Sequence, residues 1–468
     1  MKKHIPFFCF LLFNVVLFFA SCKKDSFITS ADARLSVNAD TLHFDTVFTS
    51  IGSVTKSFKI INENNQKLRL SKVKLMGGLS SFYKINVNGV ASTEINNIEI
   101  PADDSIYVFV SVTINPNLSN LAFIVRDSIL INYNGNSRYV QLEAFGQNAN
   151  FLRNQVIGSG NMVWNNNLPY VILGSFRVDT TASLTIQPGC RIYSHADAPF
   201  IVDGTLIING TKKDSVTFTG DRLDPDYKDL PASWPGIYFR GNSKNNVLRY
   251  TIVKNAYQAI VVEKPSVNAN PKLVLSQCII DNAYDAGLLF VNTSVNADNN
   301  LISNCGSNIA IGYGGTYNII HCTAASFSNL YINHKNPVLQ VNNYALQGGS
   351  IVTANLNAIF RNCIFWGDEG FVDNEVVVNK QSGNTFNVQF DRVLYRGTAS
   401  ANATYTTSIQ NQNPQFDSID VNKRIYDFHT VKNAAAPGVN KGILTGFLKD
   451  LDDRNRNNGL PDLGCYEK

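Results

Sequence analysis

The sequence of 468 residues predicts an all-β protein in which a β-sandwich precedes a solenoid of short parallel strands. It is rich in Asn, Thr, Val, Ile and Tyr and lacks the Ala-, Leu-, Glu- and Lys-rich stretches of helical proteins. Segments in which polar and apolar residues alternate occupy the first third of the chain. The middle of the chain repeats itself with a period of roughly 20–27 residues, which is typical of a solenoid.

The charge balance argues against a nucleic-acid partner. Charged residues make up 16% of the chain, below the roughly 25% that is usual for soluble proteins. The formal net charge is +4, and loss of two lysines with a signal peptide would leave about +2 (4 − 2). A nucleic-acid-binding surface needs a much stronger basic footprint.

Residues 1–22 are predicted to be a lipoprotein signal peptide, from which Cys22 is retained. A basic start precedes an apolar run that is shorter than the ~20 residues a membrane span needs. Phe19-Ala20-Ser21-Cys22 resembles a bacterial lipobox, which implies acylation of Cys22; ordinary secretion is the alternative. Acyl chains would hold the protein on a membrane, and each buried CH₂ group would contribute about 0.8 kcal/mol to the free energy of membrane binding. Lys23 after the Cys resembles a signal for the outer membrane, and residues 23–30 then form a tether.

Residues 31–148 are predicted to form the β-sandwich. About seven alternating segments are separated by turn signals, and Tyr133-Asn134-Gly135-Asn136 between two of them is a hairpin signal. The Asn-containing turn at 61–64 and the final Ala-Phe-Gly-Gln at 144–147 resemble the immunoglobulin-like modules of bacterial surface proteins related to the abnormal-spindle family. Such a module implies a spacer or a partner-binding unit.

The repeat in residues 246–396 defines two columns of residues. Asn255-Ala256-Tyr257 returns as Asn282-Ala283-Tyr284 one period later. The strand-like runs align in a column of small or amide residues, namely Thr251, Cys278, Asn300, Cys322, Asn342 and Cys363. A corner column follows it, namely Asn255, Asn282 and Asn304. Stacked Asn side chains can hydrogen-bond along a solenoid, and small Cys side chains can fill its interior, so both columns are predicted to be structural ladders.

Residues 149–400 are predicted to be the solenoid itself. Leu184 to Gly189, Gly204-Thr205-Leu206 and Trp234 to Phe239 resemble right-handed parallel β-helix proteins of the pectin-lyase-like superfamily, specifically cell-surface lipoproteins of the Bacteroidetes type. The resemblance implies a right-handed parallel β-helix and leaves activity open, because one fold hosts many functions. The polar stretch 221–233 interrupts the repeat, either as a loop that binds a cation or sugar or as a solvated excursion.

Six cysteines after Cys22 are predicted to be buried free thiols. The alignment places Cys278 two windings from Cys322, and Cys322 two windings from Cys363, about 9.6 Å at a spacing of about 4.8 Å, which is too far for a disulfide. The six histidines show no metal-ligand spacing, so no metal and no cofactor are expected.

Residues 401–468 are predicted to be a C-terminal capping module. Pro461-Asp462-Leu463-Gly464-Cys465-Tyr466-Glu467 resembles the Asp-Ile-Gly-Ala-Tyr-Glu tail of bacterial surface β-helix proteins. A solenoid end exposes unpaired strands and apolar interior, which a cap would cover.

The sequence favours a non-catalytic outer-membrane or cell-surface lipoprotein that binds or displays, with extracellular glycan as the leading ligand. The alternatives are a polysaccharide lyase or glycoside hydrolase acting on one face of the solenoid, and a structural stalk. The candidate catalytic residues are Lys254 and Asp281, one winding apart, for which a surface ion pair is the simpler interpretation. The candidate glycan contacts combine an aromatic ring with acidic groups, namely Trp366, Asp368, Glu369 and Asp373.

Overall fold

The computed structural model describes residues 26–48, 55–114, 123–368, 370–430, 435–456 and 459–468. The chain divides between Asn148 and Ala149 into two compact units. The described residues form β-strands and one short 3₁₀ helix, so the expectation of an all-β protein is confirmed. No helix in these ranges is long and apolar enough to cross a membrane. The predicted signal peptide, with its acylation site at Cys22, lies outside the described residues.

The first unit contains two five-stranded sheets. Its strands are β1 (Leu35–Val37), β2 (Thr41–Phe48), β3 (Lys56–Asn62), β4 (Leu68–Leu75), β5 (Tyr83–Val87), β6 (Val90–Ala91), β7 (Glu94–Ile100), β8 (Ser105–Val112), β9 (Phe123–Tyr133) and β10 (Asn136–Gln147), with the 3₁₀ helix Gly78–Ser80 before β5. One sheet has the order β1-β3-β8-β5-β6 and the other β2-β10-β9-β4-β7. All these pairs are antiparallel except β2 with β10.

Alternation of apolar residues explains the core of this unit. In β8, Ile106, Val108, Val110 and Val112 are buried, and the residues between them are not. Buried residues of both sheets form one hydrophobic cluster. The two-residue turn between β9 and β10 confirms the predicted hairpin, with Asn134 and Gly135 at φ of 43° and 83°, the left-handed region that Asn and Gly tolerate.

The second unit begins with two long strands and continues with many short ones. They are β11 (Asn150–Trp164), β12 (Tyr170–Ile186), β13 (Arg191–Ser194), β14 (Phe200–Val202), β15 (Thr205–Asn209), β16 (Val216–Gly220), β17 (Ile237–Phe239), β18 (Asn246–Arg249), β19 (Thr251–Lys254), β20 (Gln258–Glu263), β21 (Leu273–Ser276), β22 (Ile279–Asp281), β23 (Ala286–Asp298), β24 (Leu301–Ser303), β25 (Ser307–Ile320), β26 (Thr323–Ser326), β27 (Leu339–Asn342), β28 (Tyr344–Gln347), β29 (Ser350–Thr353), β30 (Leu356–Arg361), β31 (Ile364–Gly367), β32 (Val376–Asn379), β33 (Phe386–Asp391), β34 (Leu394–Tyr395), β35 (Thr404–Thr406), β36 (Ile409–Gln410), β37 (Ser418–Asp420) and β38 (Ile425–Asp427).

Most of these strands pair in parallel and form three rows. The first row is β13-β16-β19-β22-β24-β26-β31-β34-β36, the second is β14-β17-β20-β23-β25-β27-β32, and the third is β15-β18-β21-β23-β25-β30-β33-β35; β23 and β25 are long enough to serve the second row and then the third. The chain visits the three rows in turn, and each such passage is called a winding here. The course is solenoid-like, and the inward residues of successive windings share one hydrophobic core.

The register brings most of the predicted central column into line. Ile252 pairs with Ile279, Ile279 with Leu301, and Leu301 with Thr323, so the residues before them, Thr251, Cys278, Asn300 and Cys322, are stacked. The side-chain oxygen Oδ1 of Asn300 accepts a hydrogen bond from the amide of Cys278 at 2.8 Å, and its Nδ2 donates to the carbonyl of Leu275 at 3.1 Å.

Asn342 does not belong to that column. It lies in β27 of the second row, where it pairs with Asn379. The winding between Thr323 and Ile364 is long because it contains the antiparallel hairpin β28–β29, and the uniform period assumed from the sequence missed this insertion.

Cys322 and Cys363 consequently occupy adjacent windings, because the amide of Ile364 donates to the carbonyl of Cys322 at 2.9 Å. The spacing argument against a disulfide was therefore wrong for this pair. The thiols are nevertheless free and buried, as predicted for all six cysteines, namely Cys190, Cys278, Cys305, Cys322, Cys363 and Cys465. Burial raises the pKa of the Cys363 thiol to about 12.

The C-terminal segment packs along the side of the first row. Phe428, Leu451 and Cys465 form a cluster with the outward-facing Leu301 and Ala325. The sequence predicted a cap at the end of the solenoid, whereas these contacts are lateral. The outward residues of the first row are apolar here, and covering them removes apolar surface from water. The rows themselves continue through β36, past the predicted boundary at residue 400.

Candidate functional site

A polar pocket of about 180 Å³ lies where the strands of the first row end, and it is called the corner pocket here. Its floor comes from three successive windings, and its walls come from the 221–233 insertion, the loop after β26 and the hairpin β37–β38. Four stretches that are far apart in sequence therefore meet at one place. Both candidate catalytic residues, Lys254 and Asp281, line it.

The floor of the corner pocket is built by the predicted corner column. Asn255, Asn282 and Asn304 follow β19, β22 and β24 directly and adopt φ of 62°, 56° and 51°. This left-handed backbone turns the chain sharply, and Asn adopts it more readily than other non-glycine residues. Nδ2 of Asn282 donates to Oδ1 of Asn255 at 2.8 Å, so two members of the column are bonded to each other.

The same amides hold the insertion in place. Nδ2 of Asn255 donates to the carbonyl of Lys228 at 2.7 Å, and Nδ2 of Asn282 donates to the carbonyl of Asp229 at 2.9 Å. Within the insertion, Nε of Arg222 donates to the carboxylate of Asp224 at 2.9 Å, so that carboxylate is paired. The described residues contain no group of three or more His, Cys, Asp or Glu placed to hold a metal ion. The insertion is thus held against the corner column and forms one wall of the pocket.

The outer wall carries two tyrosines and an arginine. Arg424 donates to the hydroxyl of Tyr331 at 2.8 Å, and its guanidinium lies 4.8 Å from the centre of that ring. The Arg424 guanidinium is also 3.7 Å from the Asp229 carboxylate across the mouth of the pocket. The hydroxyl of Tyr426 is buried and has no hydrogen-bond partner within the described part of the chain. An unpartnered buried hydroxyl costs stability, so this tyrosine is a locally unfavourable feature of the wall.

Lys254 and Asp281 are paired in register but do not form an ion pair within 4.0 Å, and no other described carboxylate pairs with Lys254. Asp281 accepts a hydrogen bond from Ser303 at 2.7 Å. Burial raises the pKa of Asp281, and the Ser303 hydrogen bond and the charge of Lys254 oppose that rise, while Asp229 adds to it. The pocket therefore offers an unpaired ammonium and a carboxyl group whose proton is held more tightly than usual.

The candidate glycan contacts around Trp366 do not line the corner pocket. The Asp368 carboxylate accepts from the amide of Ser328 at 2.8 Å, so it fixes a loop. Trp366 is partly buried against a small apolar cluster, and Asp373 is exposed. Glu369 lies outside the described residues.

The acidic residue next to that group is also structural. Glu375 is fully buried and receives hydrogen bonds from His334 at 2.9 Å and from the amide of Val338 at 3.2 Å. Arg396 adds a charge contact at 3.5 Å. A buried carboxylate with these partners stabilises the winding and is not available to a ligand.

Sequence reasoning missed Tyr331, Arg424 and Tyr426. They come from a loop and from the tail, and nothing in the repeat indicates that the tail returns to the corner column. The predicted cap at the end of the solenoid did not point to this corner either.

Comparison with known proteins adds little to this geometry. No family model matches the chain, and none of the curated proteins matches it. Among solved structures, a family 123 glycoside hydrolase from Clostridium perfringens is 11% identical over 28% of this chain and 30% of its own, with a TM-score of 0.19. The ASH/PapD-like domain of human CEP192 is 6% identical over 27% of this chain and 92% of its own, with a TM-score of 0.18.

The catalytic domain of a family 87 α-1,3-glucanase is 11% identical over 76% of this chain and 87% of its own, with a TM-score of 0.18. The present chain thus spans less than a third of the first of these structures. Likenesses of this size carry no argument about function.

Proposed function

We propose that this protein is a non-catalytic, lipid-anchored protein of the outer membrane or cell surface that binds an extracellular glycan in the corner pocket. The observation that carries the proposal is the pocket itself, in which Lys254, Asp281 and Tyr426 converge from three separate parts of the chain and the Lys254 ammonium forms no ion pair with the described residues. Convergent polar groups in a concave site are the usual basis of small-ligand recognition.

The chemistry of the lining suits a ligand rich in hydroxyl groups. A carboxyl group accepts or donates hydrogen bonds, the Lys254 ammonium donates up to three, and a tyrosine hydroxyl does both. The rings of Tyr331 and Tyr426 add apolar faces beside these groups. A sugar presents the same combination of hydroxyl edges and apolar ring faces, so a glycan unit is the ligand class that fits best.

The architecture supports a finer proposal for both units. The three parallel rows support a parallel β-helix, and we propose that it is right-handed because crossovers between parallel strands are right-handed in nearly all proteins. The two five-stranded sheets with a common core support an immunoglobulin-like sandwich in the first unit. A crystal structure tests both statements, since a left-handed coil or unstacked sheets would reject them.

The anchor at Cys22 is tested separately from the pocket. Cells expressing the protein are fed an alkyne-labelled fatty acid, and we expect label on the wild-type chain and none on Cys22→Ala. Fractionation then locates the labelled protein, and recovery in the outer membrane is the expected result. Unlabelled wild-type protein in the medium would instead indicate ordinary secretion.

The binding proposal is tested on a glycan array with the mature protein. We expect wild-type protein to bind a restricted set of glycans and Asp281→Asn to bind them at least about tenfold more weakly. Asp373→Asn, which changes an exposed carboxylate away from the pocket, serves as the matched control and should bind like wild type. Absence of any bound glycan would reject the proposal in favour of a structural stalk.

One observation favours hydrolysis as a second candidate function. Burial raises the pKa of Asp281, as a general acid requires, and the Asp229 carboxylate lines the same pocket as a candidate general base. An assay for new reducing ends and unsaturated products on the bound glycans distinguishes the two functions. Turnover that disappears in both Asp281→Asn and Asp229→Asn would replace binding by catalysis.

A further inference from the structure

A row of tyrosines lies on the outside of the second unit at the start of the second row. Tyr257 and Tyr284 occupy equivalent places in the repeated Asn-Ala-Tyr motif and are 45% and 53% exposed. Their rings are nearly parallel, with centroids 6.0 Å apart and planes at 26°. The alanines before them, Ala256 and Ala283, are fully buried, so the motif turns Ala inward and Tyr outward. Packing of the core therefore accounts for the alanines and leaves the exposed tyrosines unexplained.

A third tyrosine extends this surface. Tyr238 lies in β17 and donates from its hydroxyl to the carbonyl of Pro235 at 3.0 Å. Burial, and then the nearby Tyr257 and Asp285, raise the pKa of Tyr238. The three residues Tyr238, Tyr257 and Tyr284 are called the tyrosine strip here. The corner pocket has a different lining, and none of its residues belongs to the strip.

The strip continues into a cavity of about 280 Å³. Tyr238 lines that cavity together with the outward-facing Ile201 and Val261, which pair with it in the neighbouring windings. Arg240 and Glu263 lie at its edge. Arg240 is held by the carboxylate of Asp203 at 2.8 Å, whereas Glu263 forms no ion pair with the described residues. The cavity thus has apolar walls and a charged rim.

Fixed polar groups also border the tyrosines. Nε2 of Gln258 donates to Oδ2 of Asp285 at 2.7 Å between adjacent windings. This bond holds both side chains beside the rings. It does not use Oε1 of Gln258 or Oδ1 of Asp285. Exposed aromatic rings with fixed polar groups beside them match a sugar ring, whose faces carry C–H groups and whose rim carries hydroxyls.

We propose that the tyrosine strip and the adjoining cavity form a second glycan-binding surface, on which an oligosaccharide chain lies across successive windings. That the ligand is a glycan rests on the function proposed above, whereas the location of this surface does not. A protein partner fits less well, because a specific interface needs about 800 Å² on each side. The strip is narrow and ends in a cavity close to the size of small-ligand sites, which begin at about 300 Å³.

Affinity electrophoresis tests this inference with the mature protein. Native gels are cast with β-glucan, xylan, mannan, pectin or chondroitin sulfate, and retardation gives the affinity for each. For polysaccharides that retard wild-type protein, we expect the double variant Tyr257→Ala/Tyr284→Ala to bind at least about tenfold more weakly. The Tyr257→Phe/Tyr284→Phe variant keeps both rings and should stay within about threefold of wild type if stacking carries the binding.

Controls separate this proposal from the proposed function. Tyr139→Ala removes a tyrosine of similar exposure, 47%, from the first unit and should not change retardation. The inference is overturned if the double alanine variant is retarded like wild type while Asp281→Asn is not retarded, and the corner pocket then stands alone. It is also overturned if no polysaccharide retards wild-type protein, and both proposals then fail. The strip would be reassigned to a protein partner if the double alanine variant loses binding to a protein but keeps its binding to every polysaccharide.

Discussion

Nδ2 of Asn282 donates a hydrogen bond to Oδ1 of Asn255 at 2.8 Å, one winding away. The same nitrogen also donates to the backbone of the 221–233 insertion at Asp229. One amide therefore connects two windings to a wall of the corner pocket. The architecture and the candidate site consequently depend on the same residue.

Substitution of Asn282 tests this connection. Asn282→Ala removes both hydrogen bonds and replaces Asn, which tolerates a φ of 56°, by a residue that adopts this conformation only at a cost, so we expect a loss of about 2–4 kcal/mol in the free energy of unfolding. Asn282→Gly removes the same bonds without the backbone penalty and should lose about 1–2 kcal/mol less than Ala. Urea denaturation measures both. Equal stability of the two variants would show that the left-handed corner contributes nothing.

The pH dependence of stability should differ between wild type and Asp281→Asn. Burial raises the pKa of Asp281 above its ordinary value of 3.8. A carboxyl group whose pKa rises on folding stabilises the fold below its ordinary pKa, and this contribution is lost as pH rises through the folded pKa. Asn does not titrate, so we expect the variant to gain stability relative to wild type between pH 4 and pH 7. Urea midpoints at both pH values, with Asp373→Asn as control, measure this; a constant difference would contradict it.

Lys272 is a fully buried cation whose titration should be visible. Its ammonium donates to the carbonyls of Gly241 at 2.8 Å and Glu263 at 2.9 Å, and burial lowers the pKa of Lys272 to about 8. Below pH 8 the folded state therefore contains a buried charge, which costs stability. This cost disappears as the pH rises from 8 towards the ordinary pKa of 10.5. We expect wild type to gain stability relative to Lys272→Met between pH 8 and pH 10. A fall in the stability of wild type relative to Lys272→Met over this range would contradict the assignment.

Arg456 should hold the tail against the first row. Its buried guanidinium donates to Oε2 of Glu467 at 2.8 Å and to Oδ1 of Asn299 at 3.0 Å. Arg456→Met leaves the Glu467 carboxylate without its buried partner, so we expect a loss of about 3–5 kcal/mol. Limited proteolysis should then release the C-terminal segment. Lys449→Met, at an exposed position, is the control, and equal cleavage of the two variants would contradict this role.

The thiols provide a test of burial. Protein produced from residue 23 onward contains six cysteines, all of them buried and free. We expect no reaction with an aromatic disulfide reagent in the native state and six alkylations under denaturing, non-reducing conditions, counted by intact mass. A count of four would indicate a disulfide, for which the adjacent Cys322 and Cys363 are the closest pair in register.

The parts of the structure that follow from local chemistry could be predicted from the sequence. Asn255 and Asn282 mark corners because Asn tolerates left-handed backbone, and the intervals between them set the register of Lys254 with Asp281. Asn342 could not be placed, because the hairpin β28–β29 lengthens its winding without disturbing the local pattern.

The walls of the corner pocket could not be predicted from the sequence either. Arg424 and Tyr426 return from the tail to residues some 170 positions earlier, and such contacts depend on tertiary packing. The same holds for the lateral course of the tail, which Arg456 and Leu451 attach to the first row. Periodicity describes neighbouring windings, and it contains no information about segments outside the repeat.

Calorimetric titration of the tightest glycan from the array into wild type, Lys254→Met and the exposed control Lys264→Met tests the central claim most directly. The account predicts that Lys254→Met loses at least about tenfold in affinity and that Lys264→Met binds like wild type. Undiminished binding by Lys254→Met would contradict the assignment of the corner pocket as the glycan site.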